Sequence, residues 1–289
     1  MRPAVVLLFL WSLLAWVPGA AGCSRPRARP AAPGVRVVSL SPSTTETMFA
    51  IGAGALLVGR SRYCDYPKEA LALPQVGGYV DPNLEAILAL EPTLVTGARG
   101  PSGTSLTDTL GARGVAWFFP ETESFAQIDA MMLGLGERTG HTDGARALVD
   151  KVHARIAEVE RSVAGGPRVR ALLLFGLEPI VVAGPSSFAD EMLGRAGAVN
   201  AVREGKGYPT LGMETVLALD PDVVLNAAVA EAHGAERIAK DTPGWRELRA
   251  VKLGRVMPLT DEAVLRPGPR IGDGLARIAR AVHPEANVP

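Results

Sequence analysis

The sequence predicts an α/β protein of two Rossmann-like lobes joined by a single long, rigid helix. Three observations carry that prediction: strands alternate with helices in two separate runs, an amphipathic stretch lies between the runs, and a short segment of the first run recurs in the second. The chain has 289 residues, enough for about two domains and a sizeable core without disulfides or metals.

In chain order, Val35 to Leu40 reads as a buried strand and Thr44 to Ile51 as a helix, with Ser43 as its N-cap and Glu46 completing a capping box. Further strands are expected at Leu56–Gly59, Leu94–Gly97 and Val115–Phe119, separated by helical stretches. From Asp143 to Ala164 the apolar residues Leu148, Val152, Ile156, Val159 and Val163 recur at steps of three or four, one stripe of an amphipathic helix about 33 Å long. Gly165-Gly166-Pro167 ends it. The pattern restarts at Val169–Phe175, Ile180–Ala183, Val223–Asn226 and Val256–Leu259.

The recurring segment runs from Leu84 to Val95 (LEAILALEPTLV) and from Met213 to Val224 (METVLALDPDVV), with half of its positions identical. Each copy is a short helix stopped by an acid-Pro pair and followed by a strand. A looser echo relates Met48–Ala53 to Met192–Ala198. The two lobes are therefore expected to be copies of one unit, facing each other across a cleft.

Ahead of the first strand, residues 4–17 form an apolar run of h-region length, followed by Pro18-Gly19-Ala20-Ala21-Gly22-Cys23. That segment resembles a lipobox with Cys23 as the lipidated first residue of an exported chain; a plain signal-peptidase cut after Ala21 is the other reading. Alternating Pro and Arg from Arg25 onward make a tether. The divisions are thus 1–22 signal peptide, 23–34 tether, 35–142 first lobe, 143–164 connecting helix and 165–289 second lobe. The expected location is the periplasm or cell surface, with membrane contact through the lipid alone.

Thirty basic residues balance thirty acidic ones, so no net field gathers phosphates, and nucleic-acid binding is not expected. Two cysteines, Cys23 and Cys64, exclude a disulfide scaffold and a four-thiolate zinc site. The histidines at 141, 153, 233 and 283 have no ligand spacing, and no phosphate loop, Gly-x-Ser-x-Gly elbow or His-Glu-x-x-His is present. With no acid–base pair either, the reading is a binding protein without catalytic residues, metal site or cofactor of its own.

Three segments together carry a resemblance: Arg36 to Glu46; Tyr63-Cys64-Asp65-Tyr66-Pro67 followed by Asn83-Leu84-Glu85 and Glu91-Pro92; and Leu259-Thr260 through Arg266-Pro267-Gly268-Pro269-Arg270. In order and over about residues 35–283, they resemble the helical-backbone, class III substrate-binding proteins of ABC importers, which take up cobalamin, ferric siderophores and haem. The likeness is nearest to the cobalamin binders. It implies an extracytoplasmic, monomeric receptor that delivers a cobalt corrinoid to a permease dimer and its ATPase. A ferric-siderophore or haem receptor is the alternative within the class; a surface sensor or scavenger without a permease is the alternative outside it.

The resemblance places cleft residues at Pro42, Tyr63, Tyr79, Phe175, Tyr208, Glu262 and Arg266, with Tyr79 and Tyr208 standing where cobalamin binders have tryptophans. Flat rings suit a corrin or porphyrin face, and the polar groups suit its amide or carboxylate arms. Ala98 and Ala263 depart from the pattern by losing tryptophans, and the nearby Arg99 favours an acidic ligand instead. Glu85 and Glu214, equivalent in the recurring segment, are implied to dock the two lobes onto arginine pockets of the permease.

Overall fold

A computed structural model of the protein describes residues 34–99, 103–231, 238–260, 264 and 266–289. The expected signal peptide, nearly all of the tether, Cys23, Glu262 and Ala263 lie outside them. The chain begins with β1 (Val37–Ser39), α1 (Pro42–Ala50), β2 (Leu57–Arg60), α2 (Leu84–Ala89), β3 (Leu94–Thr96), α3 (Gly103–Ala112) and β4 (Ala116–Phe118). These strands form one sheet in the order β2-β1-β3-β4, all neighbours parallel. Parallel pairing follows from the helical crossovers, and it puts every carboxyl end on one rim.

The α1 helix starts earlier than its sequence pattern suggested. Ser41, not Ser43, is the N-cap; its side chain accepts from the Thr44 N–H, and Pro42 occupies the first turn, where its missing N–H costs nothing. Glu46 makes no capping box. Its side chain is 3% exposed and is bound by arginines from the far end of the chain.

Next come α4 (Phe125–Thr139) and α5 (Thr142–Val163). All five stripe residues of α5 are buried, and Ala145 extends the stripe. A stripe of that kind needs cover. On one side α4 supplies it, and on the other the C-terminal helix α10, introduced below. One continuous hydrophobic core therefore runs from Met131, Met132 and Leu135 through Leu148, Val152 and Ile156 to Leu275 and Ile278. The connecting helix is gripped along its length and is not a bare strut.

The second half contains β5 (Val169–Leu177), β6 (Ile180–Val182), α6 (Phe188–Arg195), β7 (Ala198–Asn200), β8 (Thr210–Leu211), α7 (Met213–Leu219), β9 (Val223–Asn226), α8 (Ala228–Glu231), α9 (Arg249–Lys252), β10 (Val256–Pro258) and α10 (Ile271–Val282). Its sheet runs β10-β9-β5-β6-β8, with β7 on the first residues of β5. Strands β5, β9 and β10 are parallel, and β6 returns antiparallel to β5.

The two copies of the recurring segment share several contacts at their helix ends. Arg36 donates to the Leu90 carbonyl, and Arg170 donates to that of Leu219 at the equivalent place. The Arg36 N–H is received by the Thr93 side chain, the Arg170 N–H by that of Asp222. Glu91 and Asp220, again equivalent, both adopt positive φ, 46° and 37°. In the looser echo, Gly52 and Gly197 both take the left-handed conformation just beyond α1 and α6. Independent surfaces would not share such detail; the halves repeat one local design.

Candidate ligand-binding site

In open parallel sheets ligands sit outside the carboxyl ends of the strands. In the first half, loops leaving those ends carry Pro42, Tyr63 and Tyr79, and the chain after β10 carries Arg266. After β1 comes Pro42, half-buried at the start of α1. The floor beneath it is a buried hydroxyl network: Thr44 Oγ1 lies 2.8 Å from Ser39 Oγ and 2.9 Å from Ser41 Oγ, and Thr45 donates to Ser39 at 2.7 Å. Ser41 Oγ also accepts from the Ala98 N–H at 3.0 Å, tying the loop after β3 to α1. Fully satisfied, such a network rigidifies the loops it joins.

After β2, Tyr63 projects 48% exposed, as does Tyr66. The Tyr79 hydroxyl donates to the Arg99 carbonyl at 2.5 Å, while the Arg99 guanidinium pairs with Glu121 from the loop after β4. From the other half, Phe175 near the end of β5 meets Tyr208 edge to face, with ring centroids 5.0 Å apart and planes at 88°. The Tyr208 loop is pinned on both sides, Gly184 N–H to the Gly207 carbonyl at 2.8 Å and Val182 N–H to the Pro209 carbonyl at 3.1 Å. Both of those tyrosines feel Glu123, which precedes α4. Burial first, then the Glu123 charge, raises the Tyr208 phenol to about 12. For Tyr79 burial again leads, followed by Glu123 and Glu121, and the direction is the same. Glu123 therefore lies within electrostatic reach of a tyrosine from each half.

Arg266 closes the other end. Its Nη1 donates to Asp65 at 2.8 Å and reaches Glu46 at 3.3 Å, both in the first half. Arg270 holds the same Glu46 carboxylate through two donors, Nε at 2.7 Å and Nη2 at 2.6 Å, and its guanidinium covers the Tyr66 ring at 4.1 Å. Burial alone would raise the Asp65 carboxyl; the hydrogen bond and charge of Arg266 outweigh it and hold Asp65 below the usual range.

Of the residues the resemblance implied, the structure joins Phe175 with Tyr208, relates Tyr79 to Tyr208 through Glu123, and brings Arg266 to the loop that carries Tyr63. Glu262 lies outside the described residues. Arg99, expected to favour an acidic ligand, is exposed and pairs with Glu121. Glu46, Asp65, Tyr66, Arg270 and Glu123 were not expected at the site; the nearest signal for the first four was their place in the resembling segments, and Glu123 lies outside those segments. Cys64 is buried, its sulfur 3.3 Å from Ser61 Oγ. Glu85 and Glu214 are both exposed at the second position of α2 and α7. Among the described residues no group of three or more His, Cys, Asp or Glu is placed to hold a metal ion, and no helix is long and apolar enough to cross a membrane.

A sequence profile of the family described as Periplasmic binding protein matches residues 37–263. The chain belongs to that family. Within it, the Vitamin B12-binding protein of Photorhabdus laumondii is 31% identical over 239 residues, which are 82% of this chain and 84% of the relative. YvrC of Bacillus subtilis, an uncharacterised ABC transporter substrate-binding lipoprotein, is 26% identical over 257 residues, 86% and 80% of the two chains. Among solved structures, the periplasmic heme-binding protein RhuT from Roseiflexus superposes with a TM-score of 0.75 at 27% identity, covering 86% of this chain and 98% of RhuT. Family membership makes the chain a substrate-binding protein of the ABC-importer type, a transport component and not a member of an enzyme family.

Proposed function

We propose that the chain is an exported receptor that takes cobalamin or a related corrinoid between its lobes and delivers it to an ABC permease. The observation that supports the ligand class is the aromatic set of the site: Tyr63 and Tyr208 are exposed, one in each half, and Phe175 backs Tyr208 edge to face, rings of the kind a broad planar chelate would use. Charge favours the corrinoid. The site arginines Arg99, Arg266 and Arg270 are each engaged by a carboxylate, Glu121, Asp65 with Glu46, and Glu46 respectively. Paired charges suit the neutral amide arms of a corrinoid better than carboxylate arms. The relative named for vitamin B12 supports the same choice.

Haem is the second reading, supported by the likeness to RhuT; a ferric siderophore would use the same cleft. On either, export and lipidation at Cys23 remain part of the proposal, and YvrC, named a lipoprotein, supports it.

Titration of the mature protein with cyanocobalamin, haemin and a ferric siderophore, read by calorimetry, tests the reading. Micromolar or tighter binding of cyanocobalamin alone is expected. Silence from it with tight binding of haemin would replace the first reading by the second.

A further inference from the structure

Arg266 and Arg270 converge on one buried carboxylate, but they are held differently. Glu46 binds Arg270 through both of its oxygens, and that pair is closed. Arg266 instead bridges inward to Glu46 and outward to Asp65, whose side chain is 57% exposed while that of Arg266 is only 16% exposed. Asp65 is thus the outer partner of a shielded cation. It stands on the same loop as the exposed ring of Tyr63, two residues before it.

Resting on the corrinoid reading above, we infer that Asp65 is a specificity-determining residue: it occupies the position on Arg266 that a ligand carboxylate would take, so the cleft admits amidated rims and turns away carboxylated ones. A carboxylate arm must displace Asp65 and leave two anions close together; an amide arm accepts from or donates to neighbouring groups without that repulsion. Discrimination built from a like charge against the wrong ligand is the usual way to reject a near-isostere. Asp65 acts through Arg266, so its removal should change which ligand is preferred more than how stable the fold is.

The test compares the mature wild-type protein with Asp65→Asn and Asp65→Ser, using cyanocobalamin, the polycarboxylate corrin cobyrinic acid, and haemin. Wild type should bind cyanocobalamin at least about tenfold more tightly than cobyrinic acid. In both variants the affinity for cobyrinic acid relative to cyanocobalamin should rise by about tenfold, the size expected of one charge-assisted contact. An unchanged ratio in both variants, or a wild type that prefers the acid, overturns the inference while leaving the corrinoid reading in place. If wild type binds neither corrin but takes haemin, whose arms are carboxylates, the corrinoid reading and the inference that rests on it fall together. No binding of any probe by any of the proteins removes both. Thermal denaturation of each variant separates a selectivity change from unfolding, and Asp65→Ser repeats the test without the amide.

Discussion

Glu46 is the residue whose loss the fold would feel most. With a side chain 3% exposed and two guanidinium groups on it, its removal takes both carboxylate contacts from Arg270 and the inner one from Arg266. Glu46→Ala should cost about 3–5 kcal/mol in denaturant unfolding, the range for breaking one side of a buried ion pair. A cost below about 1 kcal/mol would mean that solvent reaches the arginines. Tyr208 gives a second measurement. Its phenol keeps its proton to about pH 12 when folded, against 10.0 ordinarily. Because the folded value is the higher one, its contribution is whole below pH 10 and is lost as pH rises from 10 towards 12. Absorbance of the phenolate should show a step near pH 12 that Tyr208→Phe abolishes. A step that survives the substitution belongs to another residue. The two cases differ in what local sequence could say. Tyr208 was reachable by resemblance, whereas Glu46 stands three residues after Ser43 and so mimics a capping box; its real partners lie more than two hundred residues on, beyond any local pattern.

At the scale of elements, α5 was legible because its stripe is long and periodic, and all five expected positions are buried. The edge strands β7 and β8 were not expected, and β8, with two residues, is too short to carry a period. Nor could the pattern show what α5 touches. Gly144, in its first turn, lies so close to Ile51 that an added Cβ would press on the Ile51 carbonyl, a backbone atom that cannot turn aside. In an isolated helix, Gly→Ala is stabilising by about 1 kcal/mol. Here the sign should reverse: Gly144→Ala is expected to destabilise by about 1–3 kcal/mol, the cost of overpacking. Calorimetric melting of the variant checks it, and a raised Tm would show that α1 and α5 can part without penalty.

At the scale of the molecule, the halves are held in more than one place. The α5 stripe shares its core with α4 and α10. The start of α4 is clasped to α6, where Phe125 packs on Phe188, its N–H donates to Glu191 at 3.0 Å, and Arg195 covers its ring. Glu46 and Asp65 hold Arg266 and Arg270. Packed cores are not continuously deformable, so the halves should move little on binding ligand. That stiffness gives meaning to the two exposed acids. Glu85 and Glu214 stand at the same position of repeated helices whose ends are anchored by Arg36 and Arg170 in the same way, so their spacing is fixed by the fold. A rigid body with one acid on each half suits a partner with two like basic sockets, and it would seat on both at once. Exposed charge pairs contribute little singly, about 0–1 kcal/mol, but two on one rigid body act together. Either Glu85→Ala or Glu214→Ala alone should slow uptake several-fold, and the double variant should reduce it by more than about tenfold. Ligand affinity should stay within about twofold, because neither side chain is among the cleft residues. Uptake in cells carrying the cognate permease, beside calorimetry on the purified variants, separates the two effects; a double variant that transports as wild type would leave Glu85 and Glu214 as first-turn acids serving only their helix dipoles.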